Sequence, residues 1–182
     1  MKKTVLIFGL ISGTFCALME AATVPFADKI GFDRSMYVGY TILVLSFLLV
    51  FFGIRAYRED IGGGQITFAR GFAVGILVSL ITCVFYVAAW EIVYYYFMPD
   101  FWDKYGQFIV EKARTAGANA AAIQAKVDEI SRVKQMYQNP LVVALMTFVE
   151  PFPVGLAITL LSAAILRKKA NPLAAQIPAT AN

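Results

Sequence analysis

The chain has 182 residues, of which 59% are apolar and 15% are charged, and it contains no histidine. An ordinary soluble protein is about half apolar and about a quarter charged, so this composition excludes a disordered chain and argues against a soluble globular domain. Because histidine is the commonest general base and zinc ligand, we expect no enzyme activity, no metal site and no cofactor. The net charge of +4 does not indicate nucleic-acid binding, since the basic residues flank apolar runs instead of forming one stripe.

Four apolar runs are each long enough to cross a bilayer, which takes about 20 residues. They predict transmembrane helices over residues 4–24, 36–54, 68–97 and 141–166. The first run is too long for the apolar region of a cleaved signal peptide, so we expect it to remain as a span. The sequence therefore predicts an all-α polytopic membrane domain over residues 1–169, followed by a disordered cytoplasmic tail over 170–182.

Residues 98–140 form the one sizeable segment between the predicted spans. Pro99 and Asp100 are typical of a helix start. From Ile123 onward, apolar residues recur at steps of three and four until Asn139-Pro140, which predicts a second helix with one apolar face. We expect a helical hairpin between the third and fourth spans, which either rests on the membrane and its own bundle or docks a partner.

Lysine and arginine are concentrated at the N-terminus, in the second connection and after the fourth span. They are Lys2, Lys3, Arg55, Arg58, Arg70, Arg167, Lys168 and Lys169. Short cytoplasmic segments carry such an excess of positive charge. This distribution predicts that both termini are cytoplasmic and that the hairpin lies on the outer side.

Three glutamates lie within the predicted spans: Glu20, Glu91 and Glu150. The predicted topology places all three in the outer half of the membrane, where no lysine or arginine lies at the same depth. A charged side chain in a bilayer is costly and is a functional-site hypothesis by default. Either hydrogen bonds satisfy these carboxylates as structural groups, or the three form a shared ion or ligand site.

The fourth run contains Pro151 and Pro153 directly after Glu150. Two prolines remove helical hydrogen bonds, so they predict a kink or a local break in this helix. Transporters use broken helices to bind ions, whereas a static kink only shapes the bundle. The sequence leaves both interpretations open.

Two glycine pairs have the spacing of a small-residue packing motif. Gly9 and Gly13 lie in the first span, and Gly71 and Gly75 lie in the third. Small residues let membrane helices approach closely. We expect these pairs to pack the first helix against the third, or to dimerise the protein.

Several motifs resemble those of a bacterial family of uncharacterised membrane proteins, domain of unknown function 4199. They are GQITFARGF at 64–72 leading to Gly75, WEIVYYY at 90–96, NP at 139–140 and TFVEPFPVG at 147–155. The resemblance runs from about residue 4 to residue 169. It implies a four-span inner-membrane protein with a helical insertion before the last span, and it implies no particular activity.

Two functions fit these features. The first is a non-enzymatic accessory or scaffold protein of the inner membrane, which acts in the lipid bilayer through helix packing and the outer hairpin on a membrane-protein partner or a second copy. The alternative is a small transporter or an ion- or proton-conducting protein that uses Glu20, Glu91 and Glu150.

Overall fold

The computed structural model describes residues 1–168, so the predicted tail at 170–182 lies outside the described residues. The described chain forms eight α-helices: α1 Lys2–Thr23, α2 Ala27–Ile30, α3 Phe32–Asp60, α4 Phe68–Ile92, α5 Phe101–Thr115, α6 Ala120–Met136, α7 Pro140–Phe148 and α8 Pro151–Leu166. A 3₁₀ turn over Val24–Phe26 joins α1 to α2, and a π-helical turn over Val93–Phe97 extends α4. Within residues 1–168, extended pairing is limited to one antiparallel bridge between Ile66 and Lys168. The all-α prediction is confirmed.

Four helical stretches are long and apolar enough to cross a membrane, as the sequence predicted. They are Lys2–Ile30, Phe32–Asp60, Phe68–Phe97 and Pro140–Leu166. Two of them extend well beyond the apolar runs, because a helix continues wherever its backbone hydrogen bonds do, including through polar residues at the membrane boundary. Hydropathy therefore marks the part of each helix that suits lipid, and it does not mark the helix ends.

α4 is the central helix of the bundle and packs against α1, α3 and the α7–α8 segment. The core is apolar and centres on Leu43, Phe47, Val50 and Ile54 of α3 and on Val74 and Val78 of α4, all fully buried. The four α3 residues recur at steps of three and four, so they form one face of that helix. The opposite faces expose large apolar side chains such as Leu48 and Ile165, as expected of helices that contact lipid.

The two glycine pairs pack on different helices. Gly9 and Gly13 of α1 face α4, where a Cβ on Gly13 would lie 2.6 Å from Phe85 Cγ. Gly71 and Gly75 of α4 instead face α3 and α8. The expectation that both pairs meet in one contact between the first and third spans is therefore wrong for the second pair. α4 meets α1 through residues ten positions later than these glycines, which is about 80° around the helix.

The α5–α6 hairpin docks on the junction between α2 and α3. Phe32 lies among three aromatic rings of α5, with centroid distances of 5.9 Å to Phe101, 5.4 Å to Tyr105 and 5.3 Å to Phe108. Beside this cluster, Lys112 Nζ of α5 lies 2.5 Å from Asp33 Oδ1. The hairpin is therefore fixed to one end of the bundle, which we call the hairpin end.

Candidate functional site

The three predicted glutamates all lie toward the hairpin end of the bundle. Glu20 is in the last turn of α1, Glu91 is in the last turn of α4, and Glu150 lies at the break between α7 and α8. The structure brings Glu20 and Glu150 together and places Glu91 elsewhere.

Glu150 is held by a tyrosine of the central helix. The Tyr86 hydroxyl of α4 donates a hydrogen bond to Glu150 Oε2 at 2.8 Å. Tyr86 was not among the sequence-predicted site residues, although it lies in the third apolar run, deeper than the aromatic cluster at 90–96. A tyrosine in that position indicates a nearby polar group, because a phenolic hydroxyl away from water needs a hydrogen-bond partner.

Glu20 completes the pair. Its carboxylate is within electrostatic range of Glu150, and both carboxylates act on the Tyr86 hydroxyl. Glu20 Oε2 is buried and has no hydrogen-bond partner among residues 1–168. Over the same residues, neither Glu20 nor Glu150 forms an ion pair with lysine or arginine. Glu20, with one buried oxygen, and Glu150, which is exposed at the surface of the bundle, thus lie near Tyr86 without a cation from residues 1–168 to neutralise them.

The break in the fourth span positions Glu150. Val149 and Glu150 donate to Met146 O and Thr147 O, both at 3.3 Å, so the chain tightens to i→i−3 bonds here. Pro151 has no N–H to continue the α-helical ladder, and α8 begins at that residue. The Glu150 side chain therefore projects from an irregular turn rather than from the middle of a continuous helix.

A layer of buried hydroxyls lies one helical turn further from the hairpin end than Tyr86. Thr82 Oγ1 donates to Ser12 Oγ at 2.8 Å, and Ser12 Oγ donates to the Ser46 carbonyl at 2.7 Å. These three side chains are fully buried and link α4, α1 and α3. On the other side of α4, Ser79 Oγ and Thr159 Oγ1 are 3.0 Å apart. Packed protein therefore closes the carboxylate pair off from the opposite end of the bundle.

Glu91 points toward a separate aromatic cluster. It is five residues after Tyr86, or about 140° around α4, and it lies within electrostatic range of Tyr95, whereas Tyr137 lies within range of both Glu150 and Glu91. In that cluster the Tyr95 hydroxyl donates to the Tyr137 carbonyl at 3.2 Å, and the rings of Tyr94 and Tyr137 are 5.4 Å apart. Burial raises the pKa of Tyr137, which lies outside the spans. Similar depth in the membrane does not bring Glu91 to the face that carries Tyr86.

Residues 1–168 bring no three histidine, cysteine, aspartate or glutamate side chains together in an arrangement that suits a metal ion. The site is thus a pair of carboxylates with one phenol. This set can share a proton, or it can offer oxygen atoms to a single small cation.

Four apolar helices around a closed core, with a helical hairpin before the last span, define a multi-pass α-helical membrane protein. Residues 7–168 match the family described as Protein of unknown function (DUF4199), and the chain belongs to that family. No curated protein and no solved structure matches the chain.

Proposed function

We propose that the protein is a non-enzymatic accessory protein of a bacterial inner membrane, and that Glu20 and Glu150 hold a proton or a small cation without conducting it. The observation that carries this proposal is the carboxylate pair on Tyr86, closed off on its far side by hydrogen-bonded hydroxyls.

Electrostatics favours a proton or a cation at this site. A charged side chain within a membrane span is costly, and two carboxylates within electrostatic range also repel each other. A proton on Glu20 removes one charge and turns its unpartnered oxygen into a hydrogen-bond donor. A small hard cation achieves the same neutralisation by binding carboxylate oxygens.

Steric packing opposes conduction through a single chain. An ion that leaves the pair toward the other end of the bundle must separate Ser12, Ser46 and Thr82, which are fully buried and hydrogen-bonded. Interiors packed in this way resist opening. Binding without passage is typical of a component that responds to ions or supports a partner.

A double-mutant cycle tests the pair. Glu20→Gln, Glu150→Gln and the double variant are compared by thermal unfolding in detergent. Since the two carboxylates interact, we expect their effects to be non-additive by at least about 0.5 kcal/mol. The matched control pairs Glu91→Gln with Glu150→Gln, which should be additive. Additivity in the Glu20–Glu150 cycle would remove the basis of the proposed site.

A small ion or proton transporter is the second candidate. The observation in its favour is the break at Glu150, because discontinuous helices expose backbone and side-chain oxygens to ions in transporters. This candidate uses the same two carboxylates and requires the hydroxyl layer to open during each cycle.

Flux measurements on the purified protein in liposomes separate the two candidates. The accessory proposal expects wild-type protein to conduct protons and sodium no faster than protein-free liposomes. Flux in wild type that is lost in Glu20→Gln and Glu150→Gln, but kept in Glu91→Gln, would overturn the accessory proposal and establish the transporter.

The accessory proposal also gives the α5–α6 hairpin a role as the surface for a membrane-protein partner or a second copy. Support comes from its rigid attachment through Phe32 and Asp33, together with exposed cations on α6 such as Lys126 and Arg132. Charge reversal at Lys126 and Arg132 should weaken association by about tenfold, because interfacial charges contribute to partner choice. The control is Asp60→Lys at the opposite end of the bundle, which keeps that end basic and should leave association unchanged.

We further propose that both termini are cytoplasmic and that the hairpin lies on the outer side. This orientation is supported by Lys2 and Lys3 at the N-terminus and by Arg167 and Lys168 at the opposite end of the bundle from the hairpin.

A further inference from the structure

A groove of about 480 Å³ opens at the hairpin end of the bundle, and its lining does not include Glu20 or Glu150. Its walls are the end of α1, the 3₁₀ turn, α2 and the start of α3. The lining residues are Met19, Ala22, Thr23, Phe26, Lys29, Ile30, Arg34 and Val38. The groove is thus largely apolar, with two cations.

Among the described residues, these two cations form no ion pair, although an acid lies next to each of them in the sequence. Asp33, which precedes Arg34, pairs with Lys112 of the hairpin at 2.5 Å. Asp28, which precedes Lys29, lies within electrostatic range of Lys104, also in the hairpin. Among residues 1–168, neither Lys29 nor Arg34 has an acidic group within 4 Å. The hairpin therefore pairs with Asp33, while Lys29 and Arg34 remain on the groove without an ion pair among the described residues.

The two ends of the groove differ in polarity along the direction of the spans. Met19 lies in a transmembrane stretch one turn before the end of α1, and Val38 lies one turn further into α3 than Arg34. Lys29 and Arg34 lie at the boundary where the first two spans meet. This order, apolar toward the bilayer and cationic at its boundary, is the order of an acyl chain and a phosphate in a phospholipid.

We propose that this groove binds one anionic phospholipid, with its headgroup phosphate between Lys29 and Arg34 and an acyl chain along Met19 and Val38. The cations select the negative headgroup, and the apolar wall requires that the phosphate be attached to a lipid. Free phosphate esters lack the chain that the apolar part of the groove contacts.

Competitive lipid binding tests the proposal. The full-length protein is delipidated in detergent and incubated with equal amounts of phosphatidylglycerol and phosphatidylcholine of the same acyl chains. Bound lipids are then counted by native mass spectrometry. Wild type should retain phosphatidylglycerol in preference. Lys29→Gln with Arg34→Gln should lower the ratio of the two bound lipids by about thirtyfold, since two basic residues near a lipid surface together contribute on the order of 2 kcal/mol and about 1.4 kcal/mol corresponds to tenfold.

Two further variants keep the result interpretable. Arg114→Gln with Lys134→Gln removes the same charge from exposed positions of the hairpin that do not line the groove, and it should preserve the wild-type ratio. Ala22→Trp fills the apolar part of the groove, keeps both cations, and should reduce the retained phosphatidylglycerol. Equal binding of both lipids by wild type, an unchanged ratio in the Lys29–Arg34 variant, or displacement of the lipid by soluble glycerol phosphate would each overturn the proposal.

Discussion

At the scale of single residues, Gly13 leaves less room for an added Cβ than the other glycines of the four spans. A Cβ there would lie 2.6 Å from Phe85 Cγ, so alanine must push α1 and α4 apart or move the ring. Overpacking of this kind costs about 1–3 kcal/mol, and the better helix propensity of alanine returns at most about 1 kcal/mol. We expect Gly13→Ala to lower the thermal unfolding temperature in detergent.

The matched control is Gly39, a helical glycine of α3 where an added Cβ would have no neighbouring atom within 4 Å. Gly39→Ala should leave the unfolding temperature unchanged or raise it, because only helix propensity changes. An equal loss in both variants would show that close α1–α4 packing is not the reason for the glycine.

For single residues, the sequence predicted which spans carry carboxylates and at what depth, but it did not predict which carboxylates face each other. Counting along each apolar run identified Glu20, Glu91 and Glu150 as carboxylates at similar depth. Depth follows from position in the chain, but the facing of a side chain depends on how the helices rotate against each other. That rotation brings Tyr86 to Glu150 and leaves Glu91 about 140° away.

At the scale of elements, the hairpin depends on one aromatic side chain supplied from outside it. Phe32 contacts three rings of α5, and such aromatic pairs contribute about 0.5–1.5 kcal/mol each beyond area burial. We expect Phe32→Ala to speed amide hydrogen exchange across 101–136, while the α3 core around Phe47 keeps its protection. Phe52→Ala on α3 is the control, since that ring is 49% exposed and pairs only with Phe51 among the described aromatic residues.

Hairpin attachment should also respond to alkaline pH through Lys112. The hydrogen bond to Asp33 raises the pKa of Lys112 above its usual 10.5. Because the pKa of Lys112 is raised in the folded state, the stabilisation that the Lys112–Asp33 pair gives to the docked hairpin is complete below pH 10.5. It is lost as the pH rises through the raised pKa. Limited proteolysis of the hairpin should therefore accelerate at strongly alkaline pH. In Lys112→Gln the hairpin should already be cleaved faster at neutral pH, with a smaller further increase.

The local sequence pattern predicted the helices of the hairpin, but it did not predict where the hairpin attaches to the bundle. The apolar recurrence from Ile123 and the Asn139-Pro140 stop depend on neighbours three or four positions away, and α6 runs from Ala120 to Met136. The contact of Phe32 with Tyr105 joins two positions far apart in the chain, on different helices. No local periodicity carries that information.

At the scale of the whole molecule, composition predicts a helical membrane protein, but it does not predict how the helices are arranged in the bundle. Four long apolar runs leave few alternatives to four spans, because only helices and closed barrels satisfy their backbone in lipid. Which helix lies at the centre is decided by small residues at two contacts of α4. Gly75 of α4 lets α3 and α8 approach, while Gly13 of α1 leaves room for Phe85 of α4. Since both faces are equally apolar in sequence, hydropathy does not distinguish a central helix from a peripheral one.

The orientation of the whole molecule is testable by cysteine labelling in intact cells. Native Cys16 and Cys83 are both buried and are replaced by alanine to remove any background. Ser131→Cys places an exposed thiol on α6, and Asp60→Cys places one at the far end of α3. If short basic segments face the cytoplasm, a membrane-impermeant maleimide should label Ser131→Cys in intact cells and label Asp60→Cys only after lysis. The reverse pattern would place the hairpin in the cytoplasm, and with it the phosphate end of the proposed lipid groove.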